Sequence, residues 1–283
     1  VTVPLEITVR LASGAVPSEA ASVGAALAAA GAGPVRTLTR ASEAVKVDAD
    51  YDNRRGYDEA FIPGNVVALP VMAASLRREI APLRGNEAGA ASGLLRYEHF
   101  SLVLHKTRRM AIFTATNIDG ATYLSVDRQS GQVGDSEGEK WFKDTRVSDA
   151  YTLNQDFYSG WSDYFDRGHL TRRTDPTWGT AAEAERANAD TFHFANCSPQ
   201  HFRFNQTAKF WQGAERFVLE NGLLASESGK RICVIQGPIF NDTIDLWADD
   251  VQIPSSFFKI VVWRGAAGLK AVGMIVDQLA LMS

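Results

Sequence analysis

The segment FDRGHLTRR carries the side chains of this sequence that are best suited to chemistry on a phosphate. Arg167 can bind a phosphate through two parallel hydrogen bonds, and the ordinary pKa of His169 allows it to exchange a proton near neutral pH. We expect Gly168, between them, to let the backbone bend so that both side chains face one ligand. Arg172 and Arg173 follow, and each is either a substrate contact or a solvated surface charge. The segment therefore indicates phosphodiester cleavage, for which a metal ligand is still needed.

A candidate metal ligand lies in the downstream segment FHFANCSPQHFRFNQTAKFWQGAERF. Mg²⁺ keeps most of its water ligands in proteins, so a single neutral asparagine oxygen can hold it. Asn205 and Gln206 stand at the start of an apolar stripe with helical spacing over residues 206–224. Glu215 lies roughly 80° around that helix from Asn205, at about 100° per residue, and its longer side chain can reach the same place. The simpler interpretation of Asn205 is a helix N-cap.

The composition is that of an ordinary globular protein with 283 residues, 45% of them hydrophobic. The net charge of −4 argues against a general nucleic-acid coat but allows an enzyme with a local basic groove. No stretch approaches the roughly 18 to 20 apolar residues of a membrane span. We expect a soluble protein, and a secreted or periplasmic location with a removed leader stays open. Cys197 and Cys233 are either buried apolar side chains or one disulfide.

The remaining pattern predicts an α+β fold with strands before and after a central helix. A hairpin is predicted over 99–120 with its turn at 106–108, followed by a third strand in ATYLSVDR. Further strands are predicted in RICVIQGPIF, FFKIVVWR and LKAVGMIVDQ. Other predictions are a strand at 1–12, helices at 19–31, 181–190 and 206–224, and a flexible linker at 85–93.

The other histidines allow two further interpretations. His193, Cys197 and His201 are spaced four residues apart, as zinc ligands on a helix would be, but Pro199 interrupts any such helix. We therefore do not expect a zinc site. His99 and His105 lack a comparable setting and are predicted to be packing or surface residues.

The motifs DRGH, N-x-x-P-Q and N-Q occur here in the order typical of the DNA/RNA non-specific endonuclease family, and the chain resembles that family from about residue 95 onward. TATNIDG resembles the strand and turn that precede the active site in the same family. The resemblance implies a ββα-metal (His-Me finger) fold with a central mixed or antiparallel sheet flanked by helices. It also implies a nuclease domain at 95–283, preceded by an extension at 1–94 that packs on the domain.

The resemblance further implies a sugar-non-specific endonuclease that uses Mg²⁺, or Mn²⁺ in its place, on DNA and RNA, often as a homodimer. In that family pattern His169 is the general base, Arg167 contacts the phosphate and Asn205 is the protein ligand of the metal. The pattern also assigns Glu215 to the water shell of the metal, Asp166 and Asn196 to the backbone around the site, and Gln206 to a supporting contact.

Two features depart from the family pattern. Relatives carry the tryptophan and glutamate of the last helix nearer to the asparagine, so Glu215 is assigned by its spacing from Trp211. Relatives also place a further phosphate-binding arginine upstream of DRGH, where this chain has Lys140 and, shortly after, Arg146. A non-catalytic nucleic-acid-binding module with the same fold, and a phosphodiesterase for small nucleotides, are the alternative functions.

Overall fold

The computed structural model of the chain describes residues 36–38, 48–85, 92–126, 141–206 and 230–282. Several predictions fall outside these ranges. They are the strand at 1–12, the helix at 19–31, most of the linker at 85–93, and all but the first residue of the predicted helix at 206–224, together with Lys140 and Glu215.

A six-stranded antiparallel sheet is the centre of the described fold, with the strand order β12-β11-β8-β4-β3-β2. β3 and β4 are buried along their whole length, because other elements pack against the sheet on both faces. The bounds are β2 Leu94–Tyr97, β3 Phe100–His105, β4 Met110–Asp119, β8 Arg231–Ile239, β11 Ser256–Gly265 and β12 Gly268–Asp277.

The sheet confirms the predicted hairpin and the three predicted C-terminal strands. The hairpin turn lies between His105 and Met110, and Arg109 closes it with a φ of 58°. The strand predicted in ATYLSVDR also exists, as β5 at Leu124–Val126, but it does not extend the hairpin. It pairs in parallel with β1 at Arg36–Leu38.

Shorter elements surround the sheet. The helix α1 precedes β2 in the chain and α2 follows β5, and the strands β9 and β10 form a small antiparallel pair near the C-terminus. Among the helices of the described ranges, none has the length and apolar character that crossing a membrane requires. The bounds are α1 Ala74–Arg77, α2 Gln155–Gly160, β9 Leu246–Ala248, β10 Val251–Ile253 and a last helix at Leu279–Met282.

A strand–strand–helix unit carries the predicted motifs. β6 at Phe165–His169 pairs antiparallel with β7 at Cys197–His201, and α4 at Phe202–Gln206 follows β7 directly. Between the two strands lies α3 at Ala181–Asp190, which confirms the helix predicted there. The Thr180 hydroxyl and the Glu183 carboxylate cap its first turn reciprocally.

The strand–strand–helix unit packs on the sheet through apolar and polar contacts. The Phe204 ring on α4 lies 5.4 Å from the Phe257 ring on β11, and both side chains are fully buried. The Thr116 and Thr171 hydroxyl oxygens are 2.8 Å apart. These contacts fix the unit against β4 and β11, so the motif residues have a rigid support.

Residues 48–85 lie against the same assembly. The Arg54 guanidinium donates to the Asp190 carboxylate at 2.6 Å, and both side chains are completely buried. The Tyr51 hydroxyl is 2.7 Å from the His193 imidazole.

The described elements together form an α+β architecture with an antiparallel main sheet, as the sequence predicted.

Candidate active site

β6 presents Arg167 and His169 on one face, because alternate residues of a strand point the same way. Both side chains contact the indole of Trp141. The imidazole centroid of His169 lies 4.6 Å from that ring, and the guanidinium carbon of Arg167 lies 5.8 Å from its centroid. The Phe192 ring meets the imidazole edge-on at 5.2 Å. Two aromatic side chains therefore hold the His169 ring in place.

Arg167 is oriented before any ligand binds. Its Nη1 donates to the Gln155 side-chain oxygen on α2 at 2.6 Å, and the side chain is half-buried. The arginine thus presents its charge next to His169 while one end of its guanidinium is fixed.

Gly168 allows a close approach between β6 and β7 and does not bend the backbone as the sequence suggested. It lies within the strand, and its φ is not in the left-handed region. A Cβ at this position would meet the Gln200 side-chain oxygen at 2.2 Å. Gln200 is fully buried, and neither atom of its amide has a hydrogen-bond partner among the described residues. The glycine therefore makes room for Gln200 beneath the site.

Asp166 holds the two amide side chains of α4. Its Oδ2 accepts from Asn205 Nδ2 at 2.9 Å and from Gln206 Nε2 at 2.8 Å. Because a carboxylate oxygen accepts these bonds, the nitrogen of Asn205 faces Asp166 and its oxygen is left to face elsewhere. Asn205 is the fourth residue of α4, which begins at Phe202, so it is not the N-cap.

Asn196 fixes the backbone just beyond His169. Its Oδ1 accepts from the Thr171 backbone N–H at 2.9 Å, and its Nδ2 donates to the carbonyl oxygens of Thr171 and Thr191. The Leu170 N–H donates in turn to the Asn196 carbonyl. Asn196 is fully buried, and its three side-chain hydrogen bonds order the backbone around Thr171 and Thr191.

The two arginines after DRGH differ in their surroundings. Arg173 donates from Nη1 to the Val126 carbonyl and to the Asn188 side chain, which ties it to β5 and α3. Arg172 is half-buried and lies near Asp175. Burial raises the pKa of the Asp175 carboxyl above its ordinary value, although the charges of Arg172 and Lys259 act in the opposite direction. Arg172 thus contributes positive charge beside the motif.

Arg146 is bound to protein groups, an arrangement that favours a structural role over its candidate role as a substrate contact. Its guanidinium donates twice to the Asp144 carboxylate and once to the Arg96 carbonyl, and it stacks on Tyr51 at 3.8 Å. Burial alone would raise the pKa of Asp144, but the hydrogen bonds and charge of Arg146 outweigh it and lower that pKa. Arg146 is only 6% exposed, so its guanidinium is largely covered by Asp144 and Tyr51.

The described residues offer a sparse set of metal donors. No group of three or more His, Cys, Asp or Glu side chains within them could hold a metal ion. The zinc-like spacing of His193, Cys197 and His201 does not create one, and Cys197 and Cys233 are both buried free thiols. One amide oxygen of Asn205 beside the Asp166 carboxylate suits Mg²⁺, which needs few protein ligands.

Sequence reasoning missed four residues of this neighbourhood, namely Trp141, Gln155, Phe192 and Gln200. Two of them had a signal that could have been used. Gln200 stands inside the SPQ segment of the motif, and Trp141 opens the W-x-x-D segment upstream of DRGH. Gln155 and Phe192 carry no such signal and are found only through their contacts with Arg167 and His169.

Comparison with solved structures shows which fold this is. A chain in the crystal structure of the EndoG/EndoGI complex aligns with this chain at a TM-score of 0.50 and 18% sequence identity. The alignment covers 75% of this chain and 81% of that chain. At this identity the likeness establishes the fold alone, which is the ββα-metal fold of EndoG.

Comparison of sequences identifies relatives and a family. The chain is 37% identical over 222 residues to the uncharacterized protein y4fB of Sinorhizobium fredii, a match that covers 75% of this chain but only 30% of that protein. It is 24% identical over 231 residues to mitochondrial endonuclease G of Bos taurus, covering 76% and 73%. Residues 83–281 match the model of the DNA/RNA non-specific endonuclease family. Because this match spans well over half of the sequence, the chain belongs to the DNA/RNA non-specific endonuclease family.

Proposed function

We propose that this chain is a divalent-metal-dependent endonuclease that hydrolyses phosphodiester bonds in DNA and RNA. One observation carries the proposal, namely that a single five-residue strand, β6, carries Arg167, His169 and the carboxylate of Asp166 that holds Asn205. Arg167 and His169 share one face of it, and Asp166 holds Asn205 on α4. The relatives named as endonuclease G support the same activity.

His169 is the proposed general base. It takes the proton of the attacking water at a ring nitrogen, and its place between Trp141 and Phe192 keeps the imidazole from rotating away. Arg167 neutralises charge on the phosphate that the water attacks. Asn196 holds the backbone behind both groups, so little reorganisation accompanies the reaction.

Asn205 is the proposed protein ligand of Mg²⁺, or of Mn²⁺ in its place. Its carbonyl oxygen suits a hard cation, and Asp166 fixes the amide so that the nitrogen does not occupy the ligand position. When bound, the ion would neutralise charge on the phosphoryl oxygens and assist the leaving oxygen. Gln206 supports Asp166, and Glu215, outside the described residues, is proposed to support the same site.

Substrate recognition in this proposal depends on phosphate and sugar. Arg167 and Arg172 supply charge beside the strand, while Lys140, outside the described residues, stays the candidate for the upstream phosphate contact. Contacts to phosphates carry no base identity, so cleavage of both DNA and RNA with weak sequence preference is expected.

We also propose the domain boundary near residue 95, with residues 1–94 as an extension packed on the nuclease domain. The buried Arg54–Asp190 ion pair and the Tyr51–His193 contact support this arrangement for the described part of the extension. The family match begins at residue 83, upstream of the proposed boundary.

A digestion assay tests the proposed activity. The full chain with Mg²⁺ should nick supercoiled plasmid and degrade RNA, and EDTA should stop both reactions. His169→Ala should slow cleavage by about 10²- to 10⁴-fold, the usual contribution of a general base. The exposed Arg77→Ala on α1 removes one positive charge elsewhere and should leave the rate unchanged, as a control for Arg167→Ala.

Two outcomes would contradict the proposal. Affinity for DNA without turnover across Mg²⁺, Mn²⁺ and Ca²⁺ would indicate a binding module. If His169→Ala cleaved nucleic acid as fast as the parent, the general-base assignment would be wrong.

A further inference from the structure

The helix α2 packs on the face of the β6–β7 pair that carries Arg167 and His169. Tyr158 is its buried residue, and its ring stacks on that of Phe194 with centroids 6.3 Å apart. The Cys197 thiol donates to the Tyr158 hydroxyl at 3.4 Å. Because Cys197 lies opposite His169 in the β6–β7 register, both side chains leave the same face, and α2 is anchored beside the proposed general base.

Gln155, the first residue of α2, has an amide with both ends bound. Its Nε2 donates to the Ser159 hydroxyl one turn later at 2.9 Å, and its Oε1 accepts from Arg167 Nη1 at 2.6 Å. The Asn154 side chain caps the first turn of the helix. The cap at Asn154 and the buried anchor at Tyr158 therefore fix the backbone that carries the exposed Gln155 side chain.

The bond from Gln155 decides which edge of the Arg167 guanidinium is open. Nη1 is occupied, whereas Nε and Nη2 make no hydrogen bond within the part of the chain that the structure describes. These two nitrogens form one edge of the planar group, which can bind two phosphate oxygens in parallel. The acceptor on Gln155 is also neutral, so it orients the guanidinium without cancelling its charge, as a carboxylate would.

We propose that Gln155 is a positioning residue that presents the Nε–Nη2 edge of Arg167 to the phosphate that is cleaved. The proposal rests on the proposed nuclease function and deepens it, because it names the residue that prepares Arg167 for phosphate. Without the amide oxygen the guanidinium must be ordered when the substrate binds, and this ordering weakens binding. Since Arg167 contacts the phosphate both before and during the reaction, the loss should appear in KM more than in kcat.

A double-mutant cycle tests the positioning role without turnover. In a His169→Ala background with EDTA, fluorescence anisotropy measures the affinity for a labelled DNA duplex. Gln155→Met keeps the length of the side chain but has no amide oxygen, and it should weaken binding about two- to tenfold, the usual cost of ordering one long side chain. In Arg167→Ala the same substitution should have no further effect, because the group that it positions is gone. A merely structural role would weaken binding in both backgrounds.

The salt dependence of binding provides a second readout. Gln155→Glu keeps an oxygen at the same place but adds a negative charge that competes with phosphate for Arg167. The slope of log affinity against log salt concentration should therefore become shallower by about 0.9, as in Arg167→Ala, whereas Gln155→Met should keep the parent slope. Gln252→Met on β10 alters a glutamine that donates to the Asp242 carbonyl, and should change neither affinity nor slope.

Cleavage assays in the otherwise unaltered chain separate the two proposals. Gln155→Met should raise KM for the duplex by the same factor as it weakens binding, with a smaller change in kcat. Unchanged affinity in Gln155→Met, an equal loss with and without Arg167, or a parent-like slope in Gln155→Glu would each overturn the positioning role. Full affinity in Arg167→Ala would do the same. If the parent cleaves neither plasmid nor RNA, the nuclease proposal fails, while the binding cycle still decides the role of Gln155.

Discussion

In the proposed mechanism, the carboxylate of Asp166 sets the affinity for the metal without itself binding it. It accepts from both amide side chains of α4, at 2.9 Å from Asn205 and 2.8 Å from Gln206. Asp166→Asn keeps the shape of the side chain and one oxygen acceptor but removes the charge. The change therefore weakens the hold on Asn205 while leaving the packing of β6 intact.

The size of the effect follows from the two hydrogen bonds. A hydrogen bond to a charged group contributes about 1.5–3 kcal/mol, and one between neutral groups about 0.5–1.5 kcal/mol. Loss of the carboxylate charge should therefore weaken each of the two hydrogen bonds by on the order of 1 kcal/mol. Residues that orient a metal ligand typically change metal affinity or activity about 10- to 100-fold when they are replaced. We expect the loss of metal affinity to lie at the lower end of that range for Asp166→Asn and at the upper end for Asp166→Ala.

The measurement is plasmid nicking across a Mg²⁺ titration. The Mg²⁺ concentration for half-maximal rate should rise about tenfold in Asp166→Asn, with a smaller change in the rate at saturating Mg²⁺. Asp163→Asn removes an exposed carboxylate from the same segment and should not shift the midpoint. An unchanged midpoint in Asp166→Asn, beside loss of activity in Asn205→Ala, would refute the orienting role of Asp166.

Three further predictions concern stability. Gly168→Ala should lower the free energy of unfolding by about 1–3 kcal/mol through overpacking, because the added Cβ would meet the Gln200 side chain. Adding Gln200→Ala to the same chain should reduce that loss. If urea titrations showed that the effects of the two substitutions simply add, the close contact would be contradicted. Burial lowers the pKa of His105 to about 4, and its Nδ1 accepts from two backbone N–H groups. The unfolded chain therefore binds the proton first, and His105 should remove up to about 3 kcal/mol of stability as pH drops from 6.5 to 4. His99, whose pKa burial also lowers to about 4, adds to the same slope. Thermal melts of His105→Asn, which can accept the same bonds, should show a shallower pH slope than the parent, and an unchanged slope would exclude His105 as a source. Arg146→Met should lower the free energy of unfolding by about 3–5 kcal/mol, because it leaves the buried Asp144 carboxylate without its ion-pair partner. The activity of the folded fraction should be unchanged. Lost activity at full stability would instead indicate that Arg146 contacts the substrate.

The placement of Arg167 beside His169 could be predicted from the sequence because its signal is local. DRGH places an arginine and a histidine two residues apart, and any strand through that segment puts both on one face. The hairpin at 99–120 and the helix at 181–190 were also predictable, since apolar runs, a capping threonine and a short polar turn act within a few residues. These features depend little on the rest of the chain.

Tertiary structure decided the roles that depend on distant partners. In the sequence Arg146 resembles a surface cation as much as Arg167 does, but Tyr51, far away along the chain, covers it and buries its pair with Asp144. Trp141 acquires its place beside His169 only in the folded chain, because the two residues are far apart in the sequence. Side-chain burial and long-range contact are properties of the packed molecule, so the residue types alone indicated the reaction, and the fold determined which charges remain available to perform it.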